Sequence, residues 1–496
     1  MFVNEQCSLP IGGPMTTELT APHPAAPAVA GHRWRWIALA VILTAEVMDL
    51  LDVLVTNLAG PAIRADLGGS PTVIQWIGAG YTLAMAVGLV TGGRLGDLYG
   101  RRRMFLIGVL GFTAASAACA LAGSPGTLIA ARVAQGLLGA LLLPQGLGLI
   151  KEMFPPEQLA AAFGAFGPVM GISAVGGPIL AGWLVDADLA GTGWRAIFLI
   201  NVPLGLLAAL GAARFLPASR PGHATRLDLP GVALLSVAVF LLVHPLVQGR
   251  ELGWPAWSFA MLAGAVVVLA VFARYEQRRQ RAGRDPLVVP ALFRRRAFTG
   301  GLVAGLAFFT ALAGFSLVFS LYLQLGLGWS PLRAGLAGVP QALGMVAAFV
   351  LAGAGLAQRL GRRLIHLGLG VVLAGVTGML LTLTVAGADV TPWRMTPALL
   401  AVGFGMGLVM APFFDIVLSG VEEAETGSAS GTLTAVQQLG GALGVALLGT
   451  VFFDGLTDSV SHAVRVTLLA ELGLLLVTVA GAFLLPRRAR EGAGGH

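Results

Sequence analysis

The chain is a succession of apolar runs, each about 20 residues long, separated by short breaks that hold nearly all of its charge. A helix of that length crosses a bilayer while satisfying its own backbone hydrogen bonds, and lipid leaves few alternatives. The runs predict helices at 36–58, 72–94, 104–123, 126–150, 159–184, 195–216, 228–249 and 258–274. Six more follow at 297–323, 334–357, 364–386, 396–419, 430–453 and 463–485. A membrane β-barrel would show alternating strands of ~10 residues instead. Only 11% of residues are charged and the mean hydropathy is +0.84, too little charge to cover a soluble surface. The 70 glycines suit helices packed backbone to backbone. The expected fold class is an all-α polytopic membrane protein with fourteen transmembrane helices.

Charge distribution tests that count independently, because basic residues accumulate in cytoplasmic loops. With a cytoplasmic N-terminus and fourteen alternating helices, 24 of the 31 basic residues fall inside. They include Arg101, Arg102 and Arg103, and eight arginines between Arg274 and Arg296. Six fall outside and one, Arg132, lies within a helix. One helix more or fewer would scramble the segregation. The net charge of +7 therefore reflects topology and predicts no nucleic-acid partner. Cys7 and Cys119 can form neither a disulfide framework nor a metal cluster. The first apolar run is too long and too acidic for a signal peptide. Multi-pass insertion in the inner (cytoplasmic) membrane, with both termini cytoplasmic, is expected.

The chain also repeats itself. Ser70-Pro71 opens the second helix and Ser330-Pro331 the tenth, and GRLGDLYGRRR (93–103) is echoed by AGLAQRLGRR (354–363) at nearly the same offset. This divides the chain into a disordered tail (1–35), a six-helix bundle (36–216), a linker with two helices (217–296), a second six-helix bundle (297–485) and a tail (486–496). Two such bundles around a midplane cavity form a transporter architecture that works by alternating access.

The loop 93–103 resembles the signature between helices 2 and 3 of the major facilitator superfamily. LDVLVTNLAGP (51–61) is similar to the first-helix motif of its fourteen-helix drug:proton antiporter branch, the EmrB/QacA-like proteins. RVAQGLLGA (132–140), GPVMGISAVGGPILAGWL (167–184), WRAIFLINVPLG (194–205), SPLRAGLAGVP (330–340) and GSASGTLTAVQQLGGALGVALLG (427–449) match it in the same order. The resemblance runs from about residue 36 to 486. It implies a major facilitator fold, two six-helix bundles plus two inserted helices. It also implies a gating role for Asp97, Arg101, Arg102, Gly93 and Gly100, whose plainer alternative is an orientation signal. Gly167, Pro168, Gly171, Gly177, Pro178 and Gly182 would form the antiporter motif of helix 5, with helix packing as the plainer reading. Gln358 replaces the aspartate in the second copy of the loop, and Ala181 stands where a glycine is common.

The sharpest signal needs no family. Glu46, Asp49 and Asp52 stand at i, i+3 and i+6 of the first helix, on one arc of about 120°. One charged carboxylate at a helix centre costs about 2.5–3.5 kcal/mol on insertion scales, so three must face protein or water. Close carboxylates desolvated together titrate as a coupled set. Arg132 is the obvious partner, and Gln135, one turn on, could share it. A proton relay and a structural ion pair are both open. Asp52 matches the family's motif aspartate. Tyr322, Gln324, Gln341, Asp415 and Gln437 are further candidates for the cavity wall. No phosphate loop, metal cluster or nucleophile elbow is present, so the expectation is no enzyme and no cofactor, with a proton gradient as energy source.

These features point to a monomeric secondary antiporter whose partners are protons, the lipid bilayer and a small-molecule substrate. The substrate would be drug-like, cationic or lipophilic. Two alternatives remain: export of an endogenous antibiotic or metabolite, favoured by an Ala/Gly/Arg-rich composition, and a non-transporting receptor or assembly protein on a degenerate transporter fold.

Overall fold

The computed structural model describes residues 32–155, 158–159, 161–162, 165–218, 227–284, 286–386, 390–419, 421 and 425–486, and all regular structure among them is helical. The first bundle comprises α1 (Arg35–Leu67), α2 (Thr72–Tyr99), α3 (Arg101–Ala120), α4 (Pro125–Gly139), α5 (Leu142–Met153), α6 (Phe166–Asp186) and α7 (Asn201–Phe215). A linker pair follows, α8 (Leu229–Gln248) and α9 (Ala256–Arg281). The second bundle holds α10 (Arg296–Leu321), α11 (Pro331–Ala337), α12 (Val339–Leu351), α13 (Arg362–Ala386), α14 (Pro392–Leu418), α15 (Thr426–Gly455) and α16 (Val460–Ala482).

Boundaries follow local chemistry. Ser124 caps α4 through its hydroxyl and Thr127, with Pro125 in the first turn, where its missing N–H costs nothing. Gly100 ends α2 at φ 87, a conformation that L side chains avoid. Three runs expected as single helices are interrupted. The 126–150 run breaks between α4 and α5, the 195–216 run at Ile200, and the 334–357 run at Gly338. Each break lies near the carbonyl four residues before a proline (Pro144, Pro203, Pro340), which that proline cannot bond.

Twelve helices among the described residues are long and apolar enough to cross a membrane, counting α4 with α5 and α11 with α12. Fourteen is not reached on length and apolarity alone, and the shortfall falls on α1 and α6. α1 runs 33 residues, but its apolar stretch carries Glu46, Asp49 and Asp52. The apolar part of α6, Gly171–Asp186, is shorter. Residues 1–31 and 487–496 of the expected tails lie outside the described residues. His32 and Trp34 pack instead of trailing free: the His32 ring bonds the Phe215 carbonyl at 2.8 Å and Trp34 lies against the Phe215 ring.

The two bundles meet along two seams, α2 against α15 and α6 against α11, with α1 also touching α10. Gln75 of α2 donates to Val445 O, Ala446 O and Thr450 Oγ1 of α15. Asp186 accepts from Leu332 N at 3.1 Å, and Gln324 donates to Leu58 O at 2.9 Å. These bonds gather at the end of the molecule opposite the arginine-rich loops. α8 lies over the α2–α15 seam and carries α9 on its far side. Among the described spans α9 is the least buried, so it lies at the periphery. Exposed Leu207, Phe259, Val266 and Val385 form the apolar exterior that a bilayer requires.

Candidate functional site: a buried charged network in the first bundle

The side chains of α1 meet α2, α4 and α7 in the interior of the first bundle. Asp52 and Arg132 are 2% and 1% exposed. Arg132 Nη1 donates to Asp52 Oδ2 and to Gln135 Oε1, the latter at 2.8 Å, and Nε reaches the Ile77 carbonyl at 3.3 Å. Gln135 Nε2 donates to Asp52 Oδ1 at 2.8 Å. Asn201 Nδ2 donates to the same oxygen at 3.2 Å and to Ser116 Oγ at 3.0 Å. Ser116 in turn donates to Phe198 O at 3.0 Å. The Asp52 carboxylate thus has a charged partner and two amide donors. A buried ion pair requires such satisfaction to offset desolvation.

Tyr81 joins this pair to the next acid. The Arg132 guanidinium lies 4.2 Å from the Tyr81 ring centre, a cation–π contact, while the Tyr81 hydroxyl donates to Asp49 Oδ1. Gly139 leaves room there: a methyl group at its α-carbon would stand 3.3 Å from both Asp49 Oδ1 and Tyr81 Oη. One turn further along, Glu46 points toward Gly146, and its buried Oε1 has no hydrogen-bond partner among the described residues. The three acids of one helical stripe therefore occupy three settings. Asp52 is locked, Asp49 is tethered by a neutral hydroxyl, and Glu46 is open. A proton arriving on Asp52 would remove the charge that holds Arg132. Glu46 and Asp49 can receive a proton or a ligand's cationic group.

The loop after α2 forms a second charged cluster. Arg101 bonds Asp97 at 3.1 Å and Glu152 of α5 at 3.3 Å, and Arg102 reaches the Ala213 carbonyl of α7. Gly93 faces Pro144, and Gly100 makes the turn. In the second copy, Arg362 bonds the carbonyls of Phe483 and Leu485 just after α16, where the first copy has an ion pair.

Along α6, small residues do structural work between the bundles. A methyl at Gly182 would come within 2.6 Å of Leu332 N, and Gly335 of α11 lies against the Pro178 carbonyl. Gly177 is buried, and Gly171 faces Val346 across 3.2 Å from its notional methyl. Gly167 and Pro168 belong to α6, but their surroundings lie outside the described residues. The remaining candidates scatter. Tyr322 is buried where α10 ends in a π-turn, Gln324 bonds Leu58 and Ser320, and Gln341 meets Met406 Sδ at 3.5 Å. Asp415 is exposed and Gln437 half-buried. The neighbouring Gln438 crosses to Met85 of α2, 2.7 Å away.

A family model, the Major Facilitator Superfamily, matches residues 42–445. The chain belongs to the major facilitator superfamily. Relatives in the superfamily include the probable actinorhodin transporter of Streptomyces coelicolor, 53% identical over 86% of this chain and 74% of that one. The puromycin resistance protein of Streptomyces alboniger is 37% identical over 92% and 93% of the two chains. The tetracenomycin C resistance and export protein of Streptomyces glaucescens is 34% identical over 86% and 78%. Among solved structures, a POT peptide transporter superposes with a TM-score of 0.66 at 17% identity, over 90% of this chain and 95% of that one. That likeness concerns the fold alone and says nothing about cargo.

Sequence reasoning did not single out Tyr81, Asn201, Ser116 or Glu152. Asn201 carried a readable signal, a lone amide inside an apolar run. Tyr81 and Ser116 carried none, since both types also occur on helix surfaces without consequence.

Proposed function

We propose that this chain is a fourteen-helix, proton-coupled antiporter of the cytoplasmic membrane that exports drug-like small molecules, cationic or lipophilic in character. One observation carries the reading. A buried carboxylate, Asp52, is held by one guanidinium, and two further acids on the same helical face stand in progressively less satisfied settings. α1 and α6 complete the count of fourteen, with both termini cytoplasmic. The segregated arginines and the bundle boundaries 36–216 and 297–485 support this topology.

The mechanism follows from competition. With the arginine-rich loops inside, the bundles are joined at the external end, so the conformation is the one that accepts cargo from the cytoplasm. In it Asp52 is paired with Arg132, leaving Glu46 and Asp49 to receive cargo. When the external side opens, protons load the α1 carboxylates, Asp52 among them, cargo leaves, and neutral carboxyls permit the return. Both ligands bias the same two states, which is the requirement for coupled exchange. Asp97, Arg101 and Glu152 would hold the cytoplasmic ends of α2, α3 and α5 together as the bundles rock, and the small residues of α6 provide the contact about which they do so.

Named transporters and exporters of antibiotics among the relatives favour an antibiotic-type metabolite as cargo. They lend no support to a retired carrier acting as a receptor. The test is efflux from proteoliposomes with an imposed pH gradient, using cationic and neutral compounds. Asp52→Asn is expected to insert and fold, less stably because Arg132 loses its charged partner, yet lose proton-driven efflux. Full transport by that variant would remove Asp52 from the mechanism.

A further inference from the structure

A cavity of about 500 Å³ lies outside the network described above, between the α8–α9 pair and the two bundles. Its wall is mostly apolar, formed by Val87 of α2, Val239 of α8, Phe272 of α9, Leu302 of α10 and Val436 of α15, and Glu276, Gln277 and Thr432 interrupt it. Glu276 is 2% exposed, and its Oε2 accepts from Leu287 N at 2.6 Å and Val288 N at 3.3 Å. Oε1 is buried, accepts from no N–H among the described residues and lies beside the Asp228 carboxyl.

The neighbouring charges sharpen the point. Asp228, fully buried, caps α8, accepts from the Tyr275 hydroxyl at 2.6 Å and pairs with Arg279 Nε at 3.4 Å. Its Oδ2 and Glu276 Oε1 flank Gly231, where a methyl group would stand 2.5 Å and 2.8 Å from them. The two carboxyl groups thus face one another across Gly231 with Arg279 paired to Asp228, and Glu276, whose Oε1 is left over, lines the apolar cavity. A neutral hydrocarbon would leave that oxygen unsatisfied, and an anionic headgroup would be repelled by it.

We propose that this cavity is a second small-molecule site, separate from the α1 acids, which takes a lipophilic ammonium. The ammonium N–H donates to Glu276 Oε1, and the apolar body lies among Val87, Val239, Phe272, Leu302 and Val436. The site stands against both α2 and α15, so its occupant touches both bundles and the linker pair at once. The proposal goes beyond the export reading, because binding here requires no proton gradient.

Photolabelling of the full chain in phosphatidylcholine nanodiscs with a diazirine-bearing dodecylammonium tests it. Labels on cavity residues of α8, α10 and α15 are expected, and Glu276→Gln is expected to reduce them about 10-fold, the loss of one charged contact. Ala435→Trp, which fills the cavity and leaves both carboxyls intact, is expected to do the same, while Asp52→Asn leaves labelling unchanged. If Glu276→Gln fails to elute as a folded protein, Ala435→Trp decides alone. Wild-type labelling in Ala435→Trp overturns the proposal. So does equal labelling by the matching diazirine alcohol, or preferential labelling by a diazirine phosphatidylglycerol, which would make the cavity a lipid site. Transport failure of the α1 variants would leave these labels in place, so the two readings fall separately.

Discussion

The two bundles share a fold but differ in how they treat buried polarity. In the first, Asp52, Arg132, Gln135, Ser116 and Asn201 bond one another across α1, α3, α4 and α7. In the second, the buried hydroxyls of Thr310, Thr432, Thr467 and Thr478 each bond the carbonyl four residues back in their own helix. Such back-bonds satisfy a group without tying helices together. Phe298, Phe308, Phe315 and Phe452 pack the second core. On the proposed mechanism, the first bundle would change state when a proton arrives and the second would serve as a body for it to move against. Glu471 is the exception, a buried carboxyl in α16 whose Oε1 has no hydrogen-bond partner among the described residues.

The contrast is most directly broken at Arg132. Arg132→Ala is expected to strand Asp52 as a buried charge and destabilise the first bundle by about 3–5 kcal/mol. Thermal unfolding in detergent measures this, and adding Asp52→Asn should restore much of the stability but not transport. If Arg132→Ala alone unfolds like wild type, the network is not a structural unit. Next in size, Gly182→Val should force side chain against Leu332 backbone at the seam and cost about 1–3 kcal/mol by overpacking. A lowered efflux rate with unchanged binding of cargo would locate the effect in bundle movement, whereas an unaltered rate would show that the seam tolerates separation.

Glu471→Gln probes the other side of the comparison. A scaffold bundle predicts a stability change within about 1 kcal/mol, since a neutral amide replaces a group lacking partners. Proton-driven efflux should persist, and its loss in this variant would make the second bundle a proton carrier too. The smallest effect belongs to Asp66, at the end of α1 beyond its apolar stretch. Hydrogen bonds from Arg195 and Trp194 hold its carboxyl below the usual carboxylate range. Its contribution is thus present above the ordinary carboxylate pKa near 4 and fades as pH falls through the lowered value. Asp66→Asn should leave stability at pH 7 little changed and flatten that acid limb slightly. An unaltered limb would show that the contact is solvent-screened throughout.

Much of this was legible in the sequence for a plain reason. Lipid forbids unpaired backbone groups, so apolar length reports helices directly, and the spacing of Glu46, Asp49 and Asp52 places them on one face whatever surrounds the helix. Arg132 announced itself as a charge inside an apolar run. The helix breaks before Pro144, Pro203 and Pro340 were harder to read, because Pro178, Pro245 and Pro412 sit inside continuous helices. Whether a missing N–H interrupts a helix depends on what neighbours supply.

Sequence alone, then, determined the membrane class and the acidic stripe, since each rests on periodicity along one chain. Only tertiary structure decided which acid is paired, which is tethered by Tyr81 and which is open, and that Glu276 meets Asp228 at an apolar cavity. Those outcomes depend on side chains up to about 150 residues apart, such as Asp52 and Asn201, arriving at the same point. A buried charge is satisfied by contact within a few ångströms, and spacing along a helix says nothing of what its neighbour brings there.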